Sequence, residues 1–198
     1  MVYRPGFGRV LTIAIGVLGA ALILLSLVHN PRATVPYIAP VAFVVLWVWA
    51  AYWRPAVIVS PASVEIRNVL RTIELPWPTI QRVETRYALT LYTAVGDFSA
   101  WAAPAPGRNT VTKASKAETT GLPSSTYQSG TIRPGDLASS ASGQAALMVR
   151  TRWEELRDAG LLDNPQVEFA APRVQWHTVT LIALAVLAAA SVATIVLL

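Results

Sequence analysis

Residues 10–28, VLTIAIGVLGAALILLSLV, form an unbroken apolar run without a single Asp, Glu, Lys or Arg. A hydrocarbon core about 30 Å thick is crossed by roughly 20 apolar residues of α-helix, so this run is long enough to span it. Outward from it lie two further uncharged stretches, Ala33 to Trp53 and Val174 to Leu198, and all 11 acidic residues fall between them. The pattern predicts an integral membrane protein with three transmembrane helices: an N-terminal helical hairpin (10–28 and 35–53) and a C-terminal anchor (176–198). One polar domain, 56–162, is expected between them, with 1–9 as a cytoplasmic tail and 163–175 as a linker. The first run ends in Val28-His29-Asn30-Pro31-Arg32 with no small-x-small cleavage site, so it is expected to be a retained anchor rather than a secretory signal.

The connection from His29 to Thr34 is short enough only for two antiparallel helices, which puts the N-terminus and the polar domain on one side. Arg4, Arg9, Arg54 and Arg173 lie on that side against Arg32 alone on the other. The positive-inside rule then predicts a multi-pass plasma-membrane protein with a cytoplasmic domain. Trp47, Trp49, Tyr52, Trp53, Trp176 and His177 suit an aromatic belt at that interface. Small residues recur at four-residue spacing, Gly16 with Ala20 and Ala185 with Ala189 and Ala193. Such faces can pack the first anchor on the third or join two chains as a homo-oligomer. Pro36 and Pro40 are expected within about the first turn of the second helix, where a missing N–H costs little. No ionisable residue lies inside a span, which argues against a proton or ion path.

The formal charge is +5, but location matters more than the total. Of 16 basic residues, Arg4, Arg9 and Arg32 flank apolar runs, leaving the polar segment with 13 against 11 acids. That near balance argues against a nucleic-acid surface. The chain has no cysteine, which excludes disulfides, thiolate catalysis and zinc–thiolate sites. Its two histidines, His29 and His177, sit at the edges of apolar runs without a triad-like partner. Glu154, Glu155 and Asp158 read as a solvated helix surface, and Gly-rich phosphate loops are missing. A non-catalytic chain with no metal and no cofactor is expected.

From Pro55 onward short runs of β-branched and aromatic residues alternate with turn formers. Ala56 to Ser60 reads as a strand and Ser63 to Val69 as another, with Val64 and Ile66 facing one way and Glu65 and Arg67 the other. Arg71 to Leu75 continues the meander, and Leu75-Pro76-Trp77-Pro78 interrupts it. Leu89 to Val95 and Phe98 to Trp101 are expected to form a hairpin turning at Gly96-Asp97. Residues 102–143 are low in complexity and read as a long insertion, with Lys113, Lys116 and Tyr127 as its candidate contact residues. Gln144 to Ala159 reads as an amphipathic helix burying Ala146, Val149, Trp153 and Leu156, exposing Arg150, Glu154 and Arg157, and ending at Gly160.

An antiparallel meander capped by a C-terminal helix is the plan of the pleckstrin-homology (PH) superfold. Val57-Ile58-Val59-Ser60, Val64-Glu65-Ile66-Arg67-Asn68 and Arg71-Thr72-Ile73-Glu74-Leu75-Pro76-Trp77 resemble the start of bacterial PH domains of the actinobacterial low-molecular-weight antigen type. The resemblance covers about Ala56 to Trp101 and, more loosely, Gln144 to Leu162. It implies a small PH-like β-sheet or barrel capped by a helix, following a pair of membrane helices. It also implies phosphoinositide binding through cations at the first hairpin loop, yet here that loop is Ser60-Pro61-Ala62-Ser63. Arg67 and Arg71 read instead as partners of Glu65 and Glu74 on a sheet face.

The candidate membrane-surface contacts are therefore Arg4, Arg9, Arg54, Arg82, Arg86 and Arg173, at about 1 kcal/mol each near an anionic leaflet. Trp77 and Trp153 are expected as structural anchors. Taken together, the sequence predicts a membrane-anchored binding or scaffolding module whose partners are membrane lipids and proteins, a sheet edge or the groove beside the helix receiving a peptide. The alternatives are an accessory subunit of a larger transport or envelope-synthesis complex and an anionic-lipid sensor.

Overall fold

The computed structural model describes residues 1–106, 134–162 and 169–197. They divide into two compact units, Gly6–Arg54 with Trp176–Leu198, and Met1–Pro5 with Pro55–Gln175. Helices among the described residues are α1 (Gly6–His29), α2 (Pro31–Val48), α3 (Ala141–Asp158) and α4 (Thr178–Leu197).

The apolar unit holds α1, α2 and α4. Gly6–His29 and Pro31–Trp53 are long and apolar enough to cross a membrane, while the apolar stretch of α4, Thr178–Thr194, is shorter. Asn30 caps α2, its side chain accepting the Ala33 N–H at 3.2 Å, and Pro31 opens the helix where an N–H is not needed. This cap starts α2 earlier than the expected residue 35, so Pro36 and Pro40 lie inside the helix rather than in its first turn. Thr34 Oγ1 donates to Asn30 O at 2.8 Å and shares a 2.7 Å hydrogen bond with Ser26 of α1. The helix finishes in one π turn, Trp49–Trp53, with the Arg54 N–H on Trp49 O, just before Pro55, which cannot extend it.

Both α1 and α4 pack against α2. Gly19 makes this possible, since a Cβ there would lie 3.1 Å from Val41 Cγ1 and 3.0 Å from Val45 Cγ2; Gly8 backs onto the Tyr52 carbonyl. The small residues singled out from spacing stand elsewhere. A Cβ on Gly16 would meet nothing within 4 Å, and Ala20, Ala185, Ala189 and Ala193 are exposed. The expected packing of the first helix on the third through them is not made within the chain, because α2 takes both neighbours and four-residue spacing does not say which face it uses.

The polar unit is built from β1 (Val2–Tyr3), β2 (Ala56–Val59), β3 (Ser63–Arg67), β4 (Arg71–Pro76), β5 (Ile80–Glu84), β6 (Ala88–Thr93), β7 (Gly96–Pro104) and β8 (Arg173–Trp176). One sheet has the order β1-β2-β3-β4-β8 and the other β5-β6-β7. Strict alternation aligns Val57, Ile66 and Ile73 in one inward row and Val59, Val64 and Leu75 in the next. Leu89 and Leu91 of the second sheet and Ala146 and Val149 of α3 close the core over them. Full burial of each such aliphatic side chain contributes about 1.5–3 kcal/mol. On the outer face Glu65 stands directly opposite Glu74, a repulsive pair offset by Arg67 Nε on Glu65 at 2.7 Å and Ser63 Oγ on Glu74 at 3.1 Å.

Several expected boundaries move. Within residues 1–9, expected as a cytoplasmic tail, Val2–Tyr3 forms a strand and α1 already starts at Gly6; the segment expected as a linker ends in β8. The hairpin turns at Ala94-Val95, not Gly96-Asp97. Thr93 Oγ1 accepts the Val95 N–H and donates to Gly96 O, while Gly96, at φ 146°, carries the backbone back into β7. The low-complexity segment contracts at both ends: Ala102 and Ala103 are buried in β7, and α3 begins at Ala141. Ser140 caps α3, and Gly143 tolerates the close approach of Leu137 O where any side chain would collide. Lys113, Lys116 and Tyr127 lie outside the described residues.

Arg150, expected on the exposed face of α3, is 5 % exposed. Its Nη1 meets Asp136 Oδ1 at 2.7 Å and its Nη2 donates to Val83 O at 3.1 Å, while Thr85 Oγ1 donates to the same carboxylate at 2.7 Å. The Ala105 N–H bonds Tyr87 O, and Gly135 abuts the Thr85 carbonyl. Residues 105 and 135, on either side of the segment 107–133, thus both sit at the β5–β6 connection, and the buried ion pair holds the returning end to α3.

Removing one member of this pair strands the other in the core, a loss of about 3–5 kcal/mol. Arg150→Met and Asp136→Asn should each lower the denaturation midpoint of the detergent-solubilised chain, and the double variant should lose clearly less than the two losses added. Equal, additive small effects would show that the pair is not structural. In the apolar unit, Gly19→Leu should overpack the α1–α2 contact by about 1–3 kcal/mol and lower the melting temperature, whereas Gly16→Leu should leave it unchanged.

Candidate functional site

A strand edge presents backbone donors and acceptors to whatever comes near, so an uncovered edge of either sheet would be a ready binding site. At β5, α3 supplies the partners: Trp153 Nε1 donates to Ile80 O at 3.0 Å and Arg150 to Val83 O. The groove beside the helix, expected to take a peptide, is filled at these points by those side chains. At β7, Asn68 from the β3–β4 turn plays the part of a neighbouring strand, donating to Ser99 O at 2.9 Å and accepting the Trp101 N–H at 2.8 Å. Beyond β4 lies β8.

The last edge is that of β2, and β1 occupies it. Val2 pairs with Ile58 and Tyr3 with Val57, and the Val59 N–H donates to Met1 O at 2.8 Å. Tyr3 points inward and packs on the core, whereas Val2 is 54 % exposed. Burial pushes the Tyr3 phenol above its ordinary value of 10.0. Neither Tyr3 nor Asn68 stands out in the sequence. A two-residue strand carries no readable period, and an asparagine in a turn looks like any other turn former.

The first hairpin loop is closed on itself. Ser60 Oγ accepts the Ser63 N–H at 2.9 Å and donates to Ser63 O at 2.8 Å, and Trp77 Nε1 donates to Ser60 O at 3.1 Å. Trp77, 2 % exposed, is thereby fixed beneath the loop, and Trp153 ties α3 to β5. No cation belongs to this loop, so the phosphate-binding arrangement implied by the resemblance has no counterpart there.

The candidate surface arginines fall into separate places. In the apolar unit Arg9 stacks over Trp53 at 5.9 Å and Arg54 over Trp49 at 5.6 Å, and Arg54 Nη1 donates to Thr180 Oγ1 at 2.6 Å. These two are brought together at the π turn, where tryptophans and cations mix as they do at a bilayer interface. In the polar unit Arg82 lies over Tyr92 at 4.3 Å with Glu84 at 3.3 Å, and Arg86 lies over Tyr87 at 5.1 Å. Arg4 and Arg173 are exposed beside β1 and at the start of β8. Among the described residues no three of His, Asp and Glu converge as metal ligands would.

Compared with known proteins, residues 54–128 match the family model of a bacterial PH domain. The match begins at Arg54, runs into the segment read as an insertion and stops before α3; it carries no narrower, actinobacterial type. No curated protein and no solved structure matches the chain significantly. The antiparallel sheets and their capping helix agree with that match, and residues 54–128 carry the likeness to a bacterial PH domain.

Proposed function

We propose that this chain is a membrane-anchored, non-catalytic PH module that holds a protein partner at the inner face of the plasma membrane. One observation carries the reading: the PH unit's strands run directly into apolar helices, α1 two residues after β1 and β2 two residues after the π turn. A domain tethered that way works by raising the local concentration of what it binds. In this reading α4 is a third membrane span, and the Arg9, Arg54, Trp49 and Trp53 group marks the cytoplasmic interface. Arg82 and Arg86, each stacked on a tyrosine, serve as contacts with anionic lipid. The chemistry of the site in this reading is recognition.

A second reading has its own observation. Gly16, Ala20, Ala185, Ala189 and Ala193 all lie away from the α1–α2 contact, and the four alanines are exposed. An accessory subunit of a larger membrane complex, or a homo-oligomer, would use such faces.

Because the chain has no cysteine, single cysteines report topology cleanly. Ala33→Cys should react with an impermeant maleimide on intact cells, and Gln81→Cys only after permeabilisation; the opposite pattern would place the PH unit outside. Cross-linking in native membranes, followed by mild-detergent purification, should recover a protein partner that persists in a chain carrying Gly16→Leu and Ala189→Leu. Loss of the partner in that variant, with the PH unit intact, would favour the subunit reading.

A further inference from the structure

We propose that the edge of β2, Ala56–Val59, is an acceptor site for an extended protein segment bearing an inward aromatic side chain, and that Met1–Tyr3 is its resident, exchangeable occupant. The inference rests on the PH unit being a protein-binding module and names where binding happens. The other edges are held differently. At β5 and β7 the covering groups are Trp153, Arg150 and Asn68, whose departure would open the core or the join between the sheets. At β4 the cover is β8, exposed along its length, and at β2 it is the backbone of Met1–Tyr3 paired with Val57–Val59; of these two strand covers, among the described residues, β1 alone sets a side chain, Tyr3, on the core.

The resident strand shows what the site accepts. The residue opposite Ile58 faces solvent and is unconstrained; the residue opposite Val57 is Tyr3, set on the core. Strand pairing supplies affinity through the backbone, and the inward position supplies selectivity. A slip of one residue would turn the aromatic outward, so register is part of the recognition. Pro5, two residues beyond β1, has no N–H and ends any extension of the resident strand. A competing segment without that proline can pair along all of Ala56–Val59. The resident is tethered by Arg4-Pro5 and acts at high effective concentration, so a competitor must itself be concentrated at the same membrane.

Met1 and Val59 exchange both backbone hydrogen bonds, at 2.6 and 2.8 Å. Val2 and Ile58 are then the adjacent non-hydrogen-bonded pair, about 4.5 Å apart at Cα, a spacing a disulfide accepts. In a chain without native cysteines, Val2→Cys with Ile58→Cys locks the resident in place on oxidation. The probe is a synthetic peptide of residues 1–5, MVYRP, labelled at its C-terminus and followed by fluorescence anisotropy with the full chain in detergent micelles. Tyr3→Ala should bind it about tenfold more tightly than the unaltered chain, because the site is more often vacant. The oxidised double-cysteine chain should not bind, reduction should restore binding, and the slipped peptide MYVRP should bind about tenfold more weakly than MVYRP. Absence of binding to Tyr3→Ala, or equal binding to oxidised and reduced double-cysteine chain, would overturn the proposal. Because Tyr3→Ala can disturb the core, the oxidised and reduced double-cysteine chains test the site independently of it. Cross-linking in membranes separates the two levels: a partner lost only from the oxidised chain supports the site, and a partner kept equally by both forms sinks it while leaving the PH module as a binding protein.

Discussion

A backbone N–H or C=O that loses water must find another partner, and each half of this chain answers that demand in its own way. In the apolar unit the helices satisfy their own ladders, which is what allows a hydrocarbon solvent. In the polar unit the sheets leave edges, and the chain closes them with whatever it has nearby: a two-residue strand at β2, an asparagine amide at β7, an indole and a guanidinium at β5. The PH fold here is as much a solution to its edges as to its core.

Those covers are not equivalent. Trp153 and Arg150 belong to α3, whose apolar face is part of the core, so they cannot leave without unfolding it. Arg150 also carries the buried bond to Asp136, which fixes the start of the returning chain to the helix and, through Thr85, to the β5–β6 connection. A charge in this position is stable only because its partner is equally buried and further bonded. By contrast, β1 contributes one half-buried aromatic ring and a few backbone bonds. The covers thus differ in kind: β2 is closed by backbone pairing and one ring, β4 by the exposed strand β8, and β5 by side chains rooted in the core.

The features that make a PH domain recognisable were legible because they rest on local pattern. Val64, Ile66, Ile73 and Leu75 alternate with charged residues, so their inward faces follow from the period of a strand. Gly160 ends α3 at φ 69°, as a glycine after a helix does. Trp77 between two prolines announced a corner. What could not be read is whatever depends on a distant partner. Arg150 fits an exposed helix position by its spacing, and only Asp136, 14 residues earlier, makes it a core residue. Gly19 and Gly16 are equally plausible packing residues in sequence; the position of Val41 and Val45 chooses between them.

By itself the sequence determined the division of the chain into apolar helices and a polar antiparallel domain, since charge distribution and hydrophobic period are properties of neighbouring residues. It also determined that the first loop, Ser60-Pro61-Ala62-Ser63, carries no cation. Only the tertiary structure decided which helix lies between the other two, which arginine is buried, and that Val2–Tyr3 belongs to the sheet rather than to a tail. Each of those depends on contacts between residues far apart in the chain, whose energy comes from burial and backbone pairing that no local window contains.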